Sequence, residues 1–270
     1  LTYGFNEAAI NGWSANKTIA FFVAAVVLLI AFFVIESRVK NPMMPIRVIA
    51  DRNRGGSYLG SLSIGAGLFS MFLFLGLYFQ VVLQYTPLRS GFAFLPFTAG
   101  IVIGAGIAST LLPKVGPKPL MIPGLLVSAS GLLWLSQLTP TSDYLTHIVP
   151  SLVLMSVGMA FVFIPLMTTA LHNVNHHDTG VASAMINTSQ QIGGSLGTAL
   201  LNTVAATAAT NYAADHMELG ESVKVFAMVH GFDSAFKVGA ALLVAGAVIL
   251  FAFINVGKEA VVESDAVIMH

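Results

Sequence analysis

Cysteine is absent from the 270 residues, which excludes disulfides, thiolate metal sites and a thiol nucleophile. Charge is nearly as scarce. Asp, Glu, Lys and Arg make up 9% of the chain, and twelve basic residues balance twelve acidic ones. That balance supplies neither the basic footprint of a nucleic-acid binder nor an acidic tail. No Walker loop, Gly-Xaa-Ser-Xaa-Gly elbow or His-Glu-Xaa-Xaa-His motif is present, so ATP-driven transport and hydrolysis lack support, and no enzyme activity or cofactor is expected. The first apolar run is preceded by Leu1 to Lys17, without a basic n-region or cleavage signal. An opening on Leu1 reads as an internal start, that of a fragment or a truncated gene product.

What is present is lipid-soluble. Hydrophobic residues make up 56% and mean hydropathy is +0.83. Gly55 to Leu88 runs without Asp, Glu, Lys or Arg, as do Ser90 to Pro113, Pro119 to Ser142 and Thr179 to Ala214. A bilayer core of about 30 Å takes roughly 20 apolar residues of helix, so these repeated runs predict a polytopic all-α membrane protein. Seven spans are expected, at 18–35, 57–82, 91–112, 119–138, 145–169, 180–208 and 234–256. Breakers separate them: Asn41-Pro42 with Pro45, Tyr85 to Arg89, the basic turn Pro113 to Lys118, Thr139 to Asp143, and His172 to Asp178. The polar stretch Asn211 to His230 reads as the longest connection. Three units follow: 1–55, an outer segment, one linker helix and a basic cytoplasmic loop; 56–257, a six-helix domain; and 258–270, a cytoplasmic tail.

Orientation is read from basic residues, which favour cytoplasmic loops. One set of alternate loops holds Arg38, Lys40, Arg47, Arg52, Arg54, Lys114, Lys118 and Lys258; the other holds Lys17, Arg89, Lys224 and Lys237. The first set is expected inside, with the N-terminus outside. Helix contacts have a signature too, because close backbone approach replaces hydrophobic drive in lipid. Gly56 and Gly60, Gly100 and Gly104, and Gly193 and Gly197 each offer a small-residue groove.

The sixth span is the most polar. Ser183, Asn187, Gln190, Gly194, Thr198 and Asn202 fall near one helical face, with Gln191 beside them, and Asn187 and Gln190 are expected on the glycine-rich side. Such a stripe either lines a wet substrate pathway or hydrogen-bonds between helices. Gln80 and Gln84, one turn apart, sit among Phe69, Phe72, Phe74, Tyr78, Phe79 and Tyr85, a surface suited to amphipathic ligands or an interfacial aromatic belt. His172, His176, His177 and Asp178 belong to a polar turn, with Asp178 or Thr179 as N-cap, rather than to a metal site. Asp233 and Lys237 read as an exposed ion pair at the start of the last helix, and no carboxylate falls in the middle of a span.

The stretch Leu75-Gly-Leu-Tyr-Phe-Gln-Val-Val-Leu-Gln-Tyr-Thr-Pro-Leu-Arg-Ser-Gly-Phe-Ala-Phe-Leu-Pro and the stretch Gly180-Val-Ala-Ser-Ala-Met-Ile-Asn-Thr-Ser-Gln-Gln-Ile-Gly-Gly-Ser-Leu-Gly-Thr-Ala, with Asn41-Pro-Met-Met-Pro-Ile-Arg-Val-Ile upstream, carry a resemblance. They resemble the C-terminal half of the fourteen-helix drug/proton antiporters of the major facilitator superfamily, the EmrB/QacA type. The resemblance implies that the last six spans form the C-terminal six-helix domain of a major facilitator fold, preceded by one linker helix. It implies export of small hydrophobic or amphipathic compounds by alternating access, driven by protons, in the cell inner membrane. The partners implied are the lipid bilayer, the substrate and a missing N-terminal half that holds most of the proton-titrating acids. Candidate cavity residues are then Gln80, Gln84, Phe79, Asn187, Gln190 and Gln191, and Lys114, Gly116 and Lys118 echo the family's basic gating loop, without its acidic member and with Lys114 where Arg is usual. Rival readings are a transporter of one narrow metabolite and a membrane-embedded structural or regulatory subunit.

Overall fold

The computed structural model describes residues 3–4, 7, 14–39, 51–175 and 178–256; the tail expected at 258–270, most of the basic loop after residue 39, and His176 and His177 lie outside them. The described chain is helical and forms no strand. The elements are α1 (Asn16–Glu36), α2 (Arg52–Leu77), the short α3 (Pro87–Phe92), α4 (Leu95–Val115), α5 (Lys118–Leu135), α6 (Val149–Leu171), α7 (Thr179–Asp215) and α8 (Val223–Phe253). Among them, α1, α2, α3 with α4, α5, α6 and α8 are long and apolar enough to cross a membrane. At 37 residues α7 exceeds the required length, but its amides, hydroxyls and glycines make it too polar for that criterion.

Local sequence explains the helix ends. Asp51 caps α2, its carboxylate accepting from the backbone N–H groups of Asn53 and Arg54 at 3.1 and 3.0 Å. Asp143 does the same for the turn leading into α6, accepting from the Thr146 backbone at 2.9 Å and its hydroxyl at 3.1 Å. Those two bonds hold the Asp143 carboxyl below the ordinary aspartate range. Gly116 adopts φ 84° between α4 and α5, so the turn from Pro113 to Lys118 closes in two residues.

The six long helices α2 and α4–α8 pack as one bundle around buried Tyr78, Phe74, Phe79, Phe236, Met71, Met121 and Leu132. Small residues set the contacts, as expected where dispersion rather than hydrophobic transfer drives association. Gly56 and Gly60 face Phe253 and Leu250 of α8; Gly100 and Gly104 face Ser156 and Ala160 of α6. Gly124 and Gly158 bring α5 and α6 together, where Ser128 Oγ donates to the Met155 carbonyl at 3.2 Å. The tightest approach joins α2 to α7. Cβ atoms at Gly65, Gly193 and Gly197 would collide with the Gln190 carbonyl, the Leu62 carbonyl and Ala66.

Two boundaries differ from expectation. The polar stretch Asn211 to His230 is mostly helix, interrupted at His216 and by a tight turn at Met217–Ser222 in which Gly220 has φ 60°. Alanines from Ala205 to Ala214 favour helix, so α7 continues past its apolar part, and α8 starts eleven residues before the expected 234. Asp233 therefore lies inside α8, not at its start. It is half-buried, and no ion-pair contact joins it to the exposed Lys237.

Candidate functional site

The polar residues of α7 divide between two faces. Ile186, Ser189, Gly193, Gly197 and Leu201 are buried, forming the side pressed against α2 and the bundle. Asn187, Thr188, Gln191 and Asn202 are exposed, and Ser195 and Thr198 are half-buried on that open side. Gln190 is half-buried at the margin. Asn187 and Gln190 are unequally placed: Gln190 borders the buried side, whereas Asn187 is exposed although it falls about 20° from the direction of Gly194. The Asn187 amide donates to the Ser183 carbonyl at 3.2 Å, and the residue is exposed. Between Thr179 and Asn211 the helix carries no ionisable side chain, so any recognition here is by amides, hydroxyls and shape.

Phe69 brings an aromatic ring to the same edge. A Cβ on Gly194 would stand 2.6 Å from that ring, yet Phe69 remains 49% exposed. An open aromatic beside half-exposed and exposed amides forms a surface that an amphipathic molecule fits.

The other expected patch comes apart. Phe79 is fully buried, edge-on to Phe94 at 5.3 Å and stacked on Tyr85 at 5.8 Å, so it is core rather than a cavity wall. Gln80 and Gln84 are both exposed, but they do not line one helical face. After Leu77 the chain winds into a π-helical turn, Tyr78–Val82, and stops: Gln84 takes φ 53° and the Tyr85 N–H donates to the Phe79 carbonyl at 2.8 Å. That is a helix-ending pattern in which glycine is usual, so a helical i, i+4 reading had no signal for it. Gln80 is eleven residues beyond Phe69, about 16 Å along the axis, and makes no common site with α7.

The basic loop residues gather at one end. Lys118 Nζ lies 4.6 Å above the Phe251 ring near the end of α8, and Arg52 Nη2 donates to the Ala252 carbonyl at 2.6 Å. Exposed Lys114 belongs to the same turn, and Gly116 is its buried pivot. Arg89 sits at the opposite end of the bundle, 3.8 Å over the Tyr85 ring. The close approach at Gly65 and the long-range bond of Tyr78 were missed in the sequence. The first would have been found by extending the small-residue search to Ser61-x-x-x-Gly65. Nothing local marks Tyr78, whose hydroxyl donates to the Thr139 carbonyl at 2.6 Å across 61 residues.

Comparison with known proteins agrees with this architecture. The puromycin resistance protein pur8 of Streptomyces alboniger is 39% identical over 269 residues, 98% of this chain and 53% of its own length. The cephamycin export protein CmcT of Amycolatopsis lactamdurans is 34% identical over 206 residues, 76% of this chain and 42% of its own. The tetracenomycin C resistance and export protein of Streptomyces glaucescens is 28% identical over 207 residues, 76% of this chain and 38% of its own. The chain spans about half the length of the curated relatives it matches, or less. Residues 8–198 match the Major Facilitator Superfamily, and with a bundle of membrane-length helices beneath that match, the chain is a multi-pass membrane protein belonging to this superfamily.

Proposed function

We propose that this chain is the C-terminal part of a proton-coupled secondary transporter of the fourteen-helix type, which exports hydrophobic or amphipathic small molecules across the cell inner membrane by alternating access. The observation that carries the reading is the open amide face of α7. A polar face turned to lipid would leave its amides without partners, whereas one lining a wet cavity keeps them solvated. Residues 1–55 then supply the linker helix and basic loop, residues 56–257 the six-helix domain, and 258–270 the tail, with an N-terminal half completing the cavity. Phe69, Gln190, Gln191 and Asn187 line it, and the Gly100, Gly104, Gly193 and Gly197 contacts let helices pack closely while they rock. Lys114, Gly116 and Lys118 form the gating turn on the cytoplasmic side. The relatives' names, for puromycin resistance and for cephamycin and tetracenomycin C export, support the substrate class.

The test is efflux. The coding region, taken with whatever in-frame sequence precedes it, is expressed in cells sensitive to puromycin and loaded with a fluorescent amphipathic dye. Dye loss that stops when an uncoupler collapses the proton gradient is expected. Loss that persists without the gradient removes the proton coupling, and no loss of any amphipathic compound tried removes the export reading.

A further inference from the structure

Asp233 is an acid within a bundle helix that the account above leaves without a role. It lies ten residues into α8, half-buried, and its Oδ1 is sealed from solvent with no hydrogen-bond partner. Its neighbours along the helix, Phe232 and Phe236, are buried and hold the Phe74 ring of α2 at 5.7 and 6.2 Å. A carboxylate with one oxygen buried and without a donor is less favourable there than in water, and taking up a proton removes the charge.

The charged and titratable groups on the packed elements do not supply a counter-ion. Lys237, one turn on, is exposed and acts only through space. Tyr78, in the π-helical turn after α2, interacts electrostatically with Asp233, but its hydroxyl proton is committed to the Thr139 carbonyl. On α7, Tyr212 is stacked between His216 and His230, at 4.1 and 4.9 Å, with Asp215 beyond it. The only charged residue of α5, Lys118, stands over Phe251, eighteen residues and about 27 Å along α8 from Asp233.

We propose that Asp233 is a proton-exchange site at the end of the bundle opposite Lys114 and Lys118. Closed around it, α2 and α8 keep the side chain as a carboxylic acid. When they part near Tyr78, the O–H bond breaks, the proton passes to water and the electron pair stays on the carboxylate. The π-helical turn at Tyr78–Val82 and the left-handed Gln84 place a break in helix regularity at the level where such parting would occur. The role in transport rests on the proton-coupled reading above, and the buried acid itself does not.

Dicyclohexylcarbodiimide modifies protonated carboxyl groups in apolar surroundings, and the adduct can be located by mass spectrometry. In membrane vesicles holding the protein, labelling of Asp233 is expected, several-fold weaker at about pH 9 than at about pH 6. Asp233→Asn, which keeps size and hydrogen-bonding capacity, should lose the label and the proton movement that accompanies export, while Asp233→Glu keeps both. An unlabelled Asp233 in folded protein, or labelling that ignores pH, overturns the proposal. Export whose proton dependence is unchanged in Asp233→Asn overturns the site while keeping the transporter. A labelled, pH-sensitive Asp233 in a protein that exports nothing keeps the site and sinks the transporter.

Discussion

Two helices of this chain, α1 and α7, have opposite relations between polarity and packing. α1 is apolar on every side and almost bare: only Thr18, Ala25 and Glu36 are buried, while Val26, Val27, Leu28 and Ile30 are each more than half exposed. α7 is too polar to qualify as a span by composition, yet it makes the closest backbone approach in the bundle and turns amides outward. Lipid rewards the first arrangement, since an all-apolar surface needs no partner. It penalises the second unless the outward face meets water or more protein. Exposure thus means different surroundings in the two helices. The outer surface of α8, with Val244, Val248 and Phe251, sides with α1.

The largest expected effect lies at the packed side of α7. Gly193→Leu drives a side chain into the Leu62 backbone, which cannot swing aside as a flexible side chain would. Overpacking of this kind costs about 1–3 kcal/mol or more, read as a fall in thermal stability in detergent. Gly106→Ala on α4, where nothing lies within 4 Å, is expected to be neutral or slightly stabilising. Equal losses from both would show that the close α2–α7 contact is no tighter than an open surface.

Next come the outward amides. Asn187→Leu and Gln191→Leu should leave stability within about 0.5 kcal/mol, as for surface positions, while changing which compounds are exported. A collapse in folded protein with an unchanged substrate range would make these residues helix glue. Topology gives a sharper, all-or-none readout of the two ends, and the absence of cysteine makes it accessible. In intact cells a Cys at position 89 should react with an impermeant thiol reagent and one at position 114 should be protected. The reverse pattern inverts the chain.

The smallest effect is expected at Asp143. Its carboxylate is held below the usual range by the Thr146 backbone and hydroxyl, so its folded value is depressed. Its contribution is therefore complete above the unfolded aspartate range and disappears as pH falls through the folded value. Asp143→Ala should fray the turn into α6 and flatten that acid-side dependence, seen as faster amide exchange at Thr146 with little change in overall unfolding.

The same contrast explains how much could be read in advance. Seven long charge-free or nearly charge-free runs were legible because lipid forbids the alternatives, and their breakers, Pro113 to Lys118 above all, interrupt helix for steric reasons. The end of α7 and the start of α8 were not, since polar residues beyond the hydrocarbon are compatible with both loop and helix. Position in the bundle was less legible still. Phe79 and Phe69 look alike in sequence, but one is sealed in the core and the other half open at the α7 edge. Asp233 was misplaced for the same reason: four-residue spacing to Lys237 suggested a pair, and only tertiary packing shows the carboxylate turned inward.

Water access to α7 tests the central claim most directly. Single cysteines at 187, 191 and 202 on α7, and at 26, 27 and 248 on the bare apolar faces of α1 and α8, are treated in membranes with a small water-soluble thiol reagent. The account predicts that the α7 positions react and are shielded by an exported amphipathic compound, while the apolar positions stay unreactive. Protection of 187, 191 and 202 to the same degree as 26, 27 and 248 would contradict it.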